Sequence, residues 1–97
     1  MRKMALLAPA LLAACATAPA ATPVHGVTPG HKCDATGTDR FIGQAGTRVT
    51  GDVIKRATNA AVLRWAPPGV MLTMDFREDR VTVYLGADNK VTKISCG

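Results

Sequence analysis

The rhythm of apolar and polar residues changes repeatedly along this chain, and each change marks an element. Residues 4–14 are almost continuously apolar, broken only by Pro9. That run is too short to span a bilayer as a helix. With Arg2 and Lys3 ahead of it, it reads as a secretory signal over residues 1–14. Residues 15–32 are chiefly alanine, threonine, proline and glycine without a periodic apolar face, which predicts a flexible spacer. Val49, Val53, Ile54 and Ala57 then recur at helical spacing and predict a helix over residues 46–59. Thr47 is its candidate N-cap, while Gly46 and Gly51 weaken it. Residues 62–66 predict a short strand with Leu63 and Trp65 on one face and Arg64 on the other, ended by Pro67-Pro68-Gly69. Val81, Val83 and Leu85 alternate with Thr82 and Tyr84 as a half-buried strand, followed by a turn at residues 86–89. Residues 90–96 predict a last strand, in which Val91 and Ile94 break strict alternation and suggest a bulge or twist. The expected fold is one α+β domain over residues 33–97, a single helix packed on a small mixed β-sheet.

One stretch fits neither core nor idle linker. Leu72-Thr73-Met74-Asp75-Phe76-Arg77-Glu78-Asp79-Arg80 is polar, dense in spaced arginines and carboxylates, and joins two strands of a very small domain. Long connections in such domains usually carry function. Its centre is an apolar-to-acidic step, Met74-Asp75, flanked by Arg77 and Arg80. Taken singly, Met74 also reads as core filler beside a strand, and Arg80 as a solvated charge at a strand start. Burying Asp75 and Arg77 unpaired would be costly, so an exposed loop is the better expectation.

Size and cysteine usage add constraints. A domain of this length buries only about 60% of its unfolded surface and benefits from a covalent staple. Leu12-Ala13-Ala14-Cys15 resembles the bacterial lipobox. The resemblance implies a diacylglyceryl group on Cys15, cleavage before it, and stable membrane anchoring through several acyl chains, at about 0.8 kcal/mol per buried methylene. Ala16 in place of an aspartate after Cys15 suggests the outer membrane of a bacterial envelope, with the domain facing the periplasm or the surface. The alternative is an ordinary cleaved signal with Cys15 as a bystander. Three cysteines leave one odd in an exported chain. Lipidating Cys15 leaves Cys33 and Cys96 at the two ends of the domain, where an oxidising compartment should pair them.

The function classes narrow accordingly. A metal site at Cys33 with His25 and His31 lacks a second clustered ligand pair, so neither metal nor cofactor is expected. Both histidines read as exposed spacer residues. The domain has no cysteine–histidine or serine–histidine pairing, and Asp75, Glu78 and Asp79 share one exposed loop, which argues against an enzyme. The formal charge of +5 falls to +3 without Arg2 and Lys3, with no aromatic or arginine cluster, so nucleic acid is not an expected partner.

The residues of the loop carry a family resemblance. Residues 69–81, Gly-Val-Met-Leu-Thr-Met-Asp-Phe-Arg-Glu-Asp-Arg-Val, look like the reactive-site segment of serine-protease inhibitors of the potato inhibitor I type. The closer similarity is to the bacterial and fungal elastase-inhibitor family (peptidase inhibitor family I-seventy-eight). That family shows an early cysteine matched by Cys33, the run Phe41-Ile42-Gly43-Gln44, and a closing Cys96-Gly97. The resemblance implies a substrate-like inhibitor of a serine protease, with Met74–Asp75 as the reactive bond. Val70, Met71, Leu72, Thr73, Phe76 and Arg77 would be the flanking protease-binding residues. It also implies that Arg80 braces the loop through Thr73 and Asp75, since a guanidinium fork suits a hydroxyl and a carboxylate together. Thr82 stands where the plant and leech inhibitors carry a second bracing arginine. An unbranched apolar Met74 points to subtilisin-, chymotrypsin- or elastase-like targets rather than trypsin-like ones. The domain is expected to be monomeric. The competing expectation is a non-inhibitory envelope lipoprotein that uses the same loop to bind a partner.

Overall fold

The computed structural model describes residues 24–97. The signal segment, Cys15 and the first part of the spacer lie outside the described residues. A 3-10 turn at Thr38–Phe41 precedes helix α1 (Arg48–Thr58) and strands β1 (Val62–Ala66), β2 (Arg80–Leu85) and β3 (Val91–Cys96). The sheet order is β1-β2-β3, with β1 parallel and β3 antiparallel to β2. The fold is therefore the expected α+β arrangement, one helix on a small mixed sheet. Among the described residues no helix is long and apolar enough to cross a membrane.

Local chemistry explains the helix ends. The Thr47 side chain accepts a hydrogen bond from the Thr50 amide at 3.2 Å, satisfying one of the unpaired donors at the N-terminus. Asn59 ends the helix in the left-handed region at φ 62°, with Lys55 and Arg56 in the last turn, where the helix dipole favours cations.

The face that α1 buries differs from the expected one. Val49, Val53 and Ala57 are exposed, and Gly51, Ile54 and Thr58 face the sheet. Gly51 is the cause. A Cβ there would stand 2.7 Å from Cζ2 of Trp65, so only glycine lets the helix settle onto the indole. Thr58 is tolerated in the core because its hydroxyl donates to the Ile54 carbonyl at 2.9 Å. In an exposed helix, Gly→Ala would be favourable by roughly 1 kcal/mol. Here overpacking reverses the sign, so Gly51→Ala should destabilise by about 1–2 kcal/mol in urea denaturation, with Trp65→Phe relieving part of that loss.

The core lies between α1 and one sheet face: Phe41, Ile54, Ala60, Val81, Val83, Leu85 and Val91, with Leu63, Trp65 and Ile94 packed against it. The register shift expected in the last strand occurs opposite Tyr84/Leu85. Cys33 and Cys96 form a disulfide, their Cα atoms 5.6 Å apart and 63 positions apart in sequence. Closing a loop of that length stabilises by about 4 kcal/mol on the chain-entropy account.

Parallel pairing of β1 with β2 has a direct consequence for the connection between them. Antiparallel strands can be joined by a tight turn, whereas parallel ones require the chain to travel back along the full strand length. No helix makes that crossover here. Residues 67–79 do it as an extended loop.

The expected spacer also ends earlier than its composition suggests. From Val24 onward it lies hydrogen-bonded against the domain, with a turn closed by Val27 N–H to the Val24 carbonyl (3.1 Å) and a bridge between Thr28 and His31. His25 and His31 both make hydrogen bonds to the domain, so neither is a bare spacer side chain. These contacts are polar and have no periodicity, which is why composition misses them.

Candidate functional site

Residues 70–76 stand out from the domain. The side chains of Met74 and Met71 are 99% and 92% exposed, and Val70 and Phe76 are also exposed. Leu72 is half-buried and Thr73 exposed. Among the described residues, none of 71–76 makes a backbone–backbone hydrogen bond. An extended segment whose main-chain groups are unpaired with other backbone is suited to pairing with an extended cleft. Exposed as it is, the loop is held from beneath on both sides of Met74.

On the C-terminal side the holder is Arg80, only 7% exposed. Its Nη2 donates to the Asp75 carbonyl at 3.0 Å and its Nε to the main-chain oxygen of Gly97 at 3.0 Å. The Asp75 carboxylate is 3.7 Å from the same Nη2. The expected bond from Arg80 to Thr73 is not made. Thr73 is held instead by Arg64, whose Nη1 donates to its hydroxyl at 3.0 Å.

Arg64 is the functional residue that sequence reasoning missed. Its Nε also donates to Thr82 Oγ1 at 3.2 Å, and Thr82 donates on to the Gly97 oxygen at 3.1 Å. The parallel register sets Arg64 directly beside Thr82. Alternation puts Arg64 on the sheet face away from Leu63 and Trp65, the face that also carries Arg80 and Thr82. A second guanidinium therefore reaches the loop from the neighbouring strand, at the level where Thr82 stands in β2. The signal available in the sequence was one arginine between two core positions, but only strand pairing shows what it faces.

The electrostatics follow the same contacts. The Thr73 hydroxyl, then His25, then the Arg80 charge hold the Asp75 carboxyl well below the usual carboxylate range. His25 Nε2 lies 2.8 Å from Asp75 Oδ2. Arg77, expected among the protease-facing residues, turns back into the domain. Its Nε and Nη2 each lie 3.0 Å from the carboxylate of Asp79, a bidentate pair on a side chain with no exposed surface. Thr28 adds a 2.6 Å hydrogen bond to the same carboxylate. Arg77 and then Thr28 pull the Asp79 carboxyl down to about 2. A carboxyl with a depressed folded-state value stabilises the fold above its unfolded value near 3.8, and that contribution is lost as pH falls through about 2. The loop base should therefore loosen between about pH 4 and pH 2. Thermal midpoints across that window should fall in the native chain and fall less in Asp79→Asn, which starts lower at neutral pH.

Backbone contacts complete the anchorage. Asp79 accepts from the Ala61 and Val62 amides at 2.8 and 3.1 Å, and the Glu78 carbonyl accepts from Cys33 at 2.8 Å, beside the disulfide. Phe76 lies over Gly97, where a Cβ would come within 2.9 Å of its ring. Among the described residues, no group of three or more His, Cys, Asp or Glu is placed to hold a metal ion.

The described residues thus form a small disulfide-closed domain that displays one braced, extended loop. The sequence model of the Peptidase inhibitor I78 family matches residues 33–97, and the chain belongs to that family. It is by that membership an inhibitor rather than an enzyme. Among solved structures it is similar to the elastase inhibitor AFUEI, at 25% identity and a TM-score of 0.49, over 61% of this chain and 81% of that one. No curated protein matches the chain.

Proposed function

We propose that this chain inhibits serine proteases by offering residues 70–76 as a substrate-like strand, with Met74–Asp75 as the reactive bond. The observation that carries this reading is the combination of a fully exposed Met74 with guanidinium braces on the residues either side of it, Arg64 on Thr73 and Arg80 on Asp75. Met74 fills an apolar primary pocket of the subtilisin, chymotrypsin or elastase kind. Cleavage of the bond frees the Asp75 amine, but Arg80 still holds the Asp75 carbonyl and Arg64 still holds Thr73. The two new ends stay together, so religation competes with hydrolysis of the acyl-enzyme. Pre-ordering of the loop also lowers the entropy lost on binding.

An inhibition panel tests this. A soluble form over residues 16–97 should inhibit subtilisin, chymotrypsin or an elastase near stoichiometrically and trypsin poorly, with mass spectrometry placing any nick after Met74. If every protease digests the loop at ordinary substrate rates, the loop serves an interaction that blocks no protease. Arg64 is expected to matter although it touches no protease. Arg64→Ala removes its bonds to Thr73 and to Thr82. The one to the loop is exposed and stands at the low end of the range for a charged donor, about 1.5 kcal/mol, so the rate of nicking should rise roughly tenfold, read by the same mass spectrometry.

The address of this activity is part of the proposal. Cys15 carries the lipid and tethers the inhibitor to the bacterial envelope, where proteases arriving at the membrane surface are its targets. Cys15→Ser should move the protein from the membrane fraction to the soluble fraction and abolish labelling by a fatty-acid probe.

A further inference from the structure

Residues 24–31 precede the segment matched to the inhibitor family, yet they are bonded to the loop at three points. His25 reaches the Asp75 carboxylate at 2.8 Å. The Gly26 carbonyl accepts from the Asp79 amide at 3.1 Å. Thr28 donates to the buried Asp79 carboxylate at 2.6 Å. The far end of the same segment is pinned to the helix terminus, where Asn59 Nδ2 donates to the Gly30 carbonyl at 3.1 Å and His31 Nδ1 lies 3.1 Å from the Asn59 oxygen.

The approach to the loop is close and depends on one backbone conformation. Gly26 has φ +79°, and a Cβ on it would stand 2.9 Å from the Arg77 Cα. A side chain at that position would both strain the turn and push the segment off the loop. The segment is thus a strap, fixed at the helix terminus and at the loop base, with His25 at its free end on the residue that follows the reactive bond.

We propose that this strap is a third brace of the inhibitory loop, and that His25 is a positioning residue for the Met74–Asp75 bond. The inference rests on Met74–Asp75 being that bond. Arg80 fixes the Asp75 main chain through its carbonyl, on the far side of the residue from the peptide to Met74, and leaves the Asp75 side chain to be held by a further contact. His25 takes one carboxylate oxygen, Oδ2, while Arg80 lies nearer the other, Oδ1. With Oδ2 hydrogen-bonded to His25 and Oδ1 within ion-pair distance of Arg80, the carboxylate is restrained at both oxygens. The Asp75 amine, the group that must return to the acyl-enzyme for religation, is then held in place. The contact costs the fold little to lose, because the His25 side chain is 65% exposed and exposed pairs contribute weakly to global stability. Loop order and domain stability therefore separate.

The test uses the full chain with His25→Ala, His25→Gln and Gly26→Ala. His25→Ala should raise nicking at Met74–Asp75 roughly threefold to fivefold and leave the thermal midpoint within about a degree. His25→Gln, which still places a donor near Nε2, should restore the native rate. Gly26→Ala should raise nicking further, because it lifts the strap from Arg77. Nicking that is unchanged in both His25→Ala and Gly26→Ala would overturn the proposal, as would failure of the glutamine to rescue. If the native chain inhibits nothing, the reading of the reactive bond fails, and backbone amide relaxation at residues 73–77 then decides the strap alone. Greater disorder in His25→Ala supports it, and unaltered relaxation overturns it.

Discussion

Arg80→Ala is expected to convert the loop from a ligand into a substrate and to destabilise the domain by about 3 kcal/mol. The guanidinium is nearly buried and bonds two main-chain oxygens from different parts of the chain, Asp75 in the loop and Gly97 after β3. Each charge-assisted bond contributes about 1.5–3 kcal/mol. Part of that is recovered in the variant, since Thr82 still holds Gly97 and water reaches the Asp75 carbonyl. The effect on the loop should exceed the effect on the fold, because nothing else in the described structure bonds the Asp75 carbonyl. Nicking after Met74 should rise by two orders of magnitude or more, on the scale of about 1.4 kcal/mol per tenfold. Arg80→Lys is the informative control. A single ammonium on a flexible stem has no fixed fork to span both oxygens, so it should recover less than half of the lost stability. Urea denaturation and timed proteolysis measure the two effects separately. Native-like resistance in Arg80→Ala would mean that the loop owes its shape to something other than its braces.

Met74→Lys should have the larger effect on target choice and almost none on the fold. The Met74 side chain is 99% exposed and makes no hydrogen bond in the described structure. In an apolar primary pocket, burial of such a side chain is worth about 1.5–3 kcal/mol. Placing an unpaired ammonium there adds a desolvation cost of at least about 2 kcal/mol. Inhibition of subtilisin- or elastase-like enzymes should therefore fall by about three orders of magnitude. Inhibition of trypsin, whose pocket is negatively charged, should appear. The thermal midpoint should stay at the native value. A variant that keeps its original targets would place the primary contact elsewhere on the loop.

How far these residues can be read without coordinates depends on the range over which each signal acts. Strand periodicity is local, and β1, β2 and β3 fall within a residue of their expected positions. The N-cap at Thr47 and the disulfide were likewise legible, one from a local side-chain bond and the other from the count of thiols in an exported chain. The helix was legible as a helix, but its buried face was not. Hydropathy marks Val49 and Val53, and the residue that sets the packing is a glycine, which has no hydropathic signal and matters only because Trp65 lies opposite.

The site divides in the same way. The exposed Met74-Asp75 step was readable, because burying the charges around it unpaired is costly, whereas the role of Arg80 as a brace came only with the family resemblance and, taken singly, Arg80 read as a solvated charge. Arg64, the Arg77–Asp79 pair and the strap were not readable. Their partners are supplied by strand pairing, by a turn of the chain, or from some fifty positions away in sequence, as with His25 and Asp75.

The sequence by itself determined the elements, their order, the covalent closure and the presence of an exposed loop between β1 and β2, since these follow from propensity, local pattern and thiol chemistry. Only the tertiary structure decided what stiffens that loop. Hydrogen bonds between groups far apart along the chain have geometry only once the sheet has paired, and it is the parallel pairing of β1 with β2 that sets Arg64 and Arg80 beneath the loop on either side of Met74.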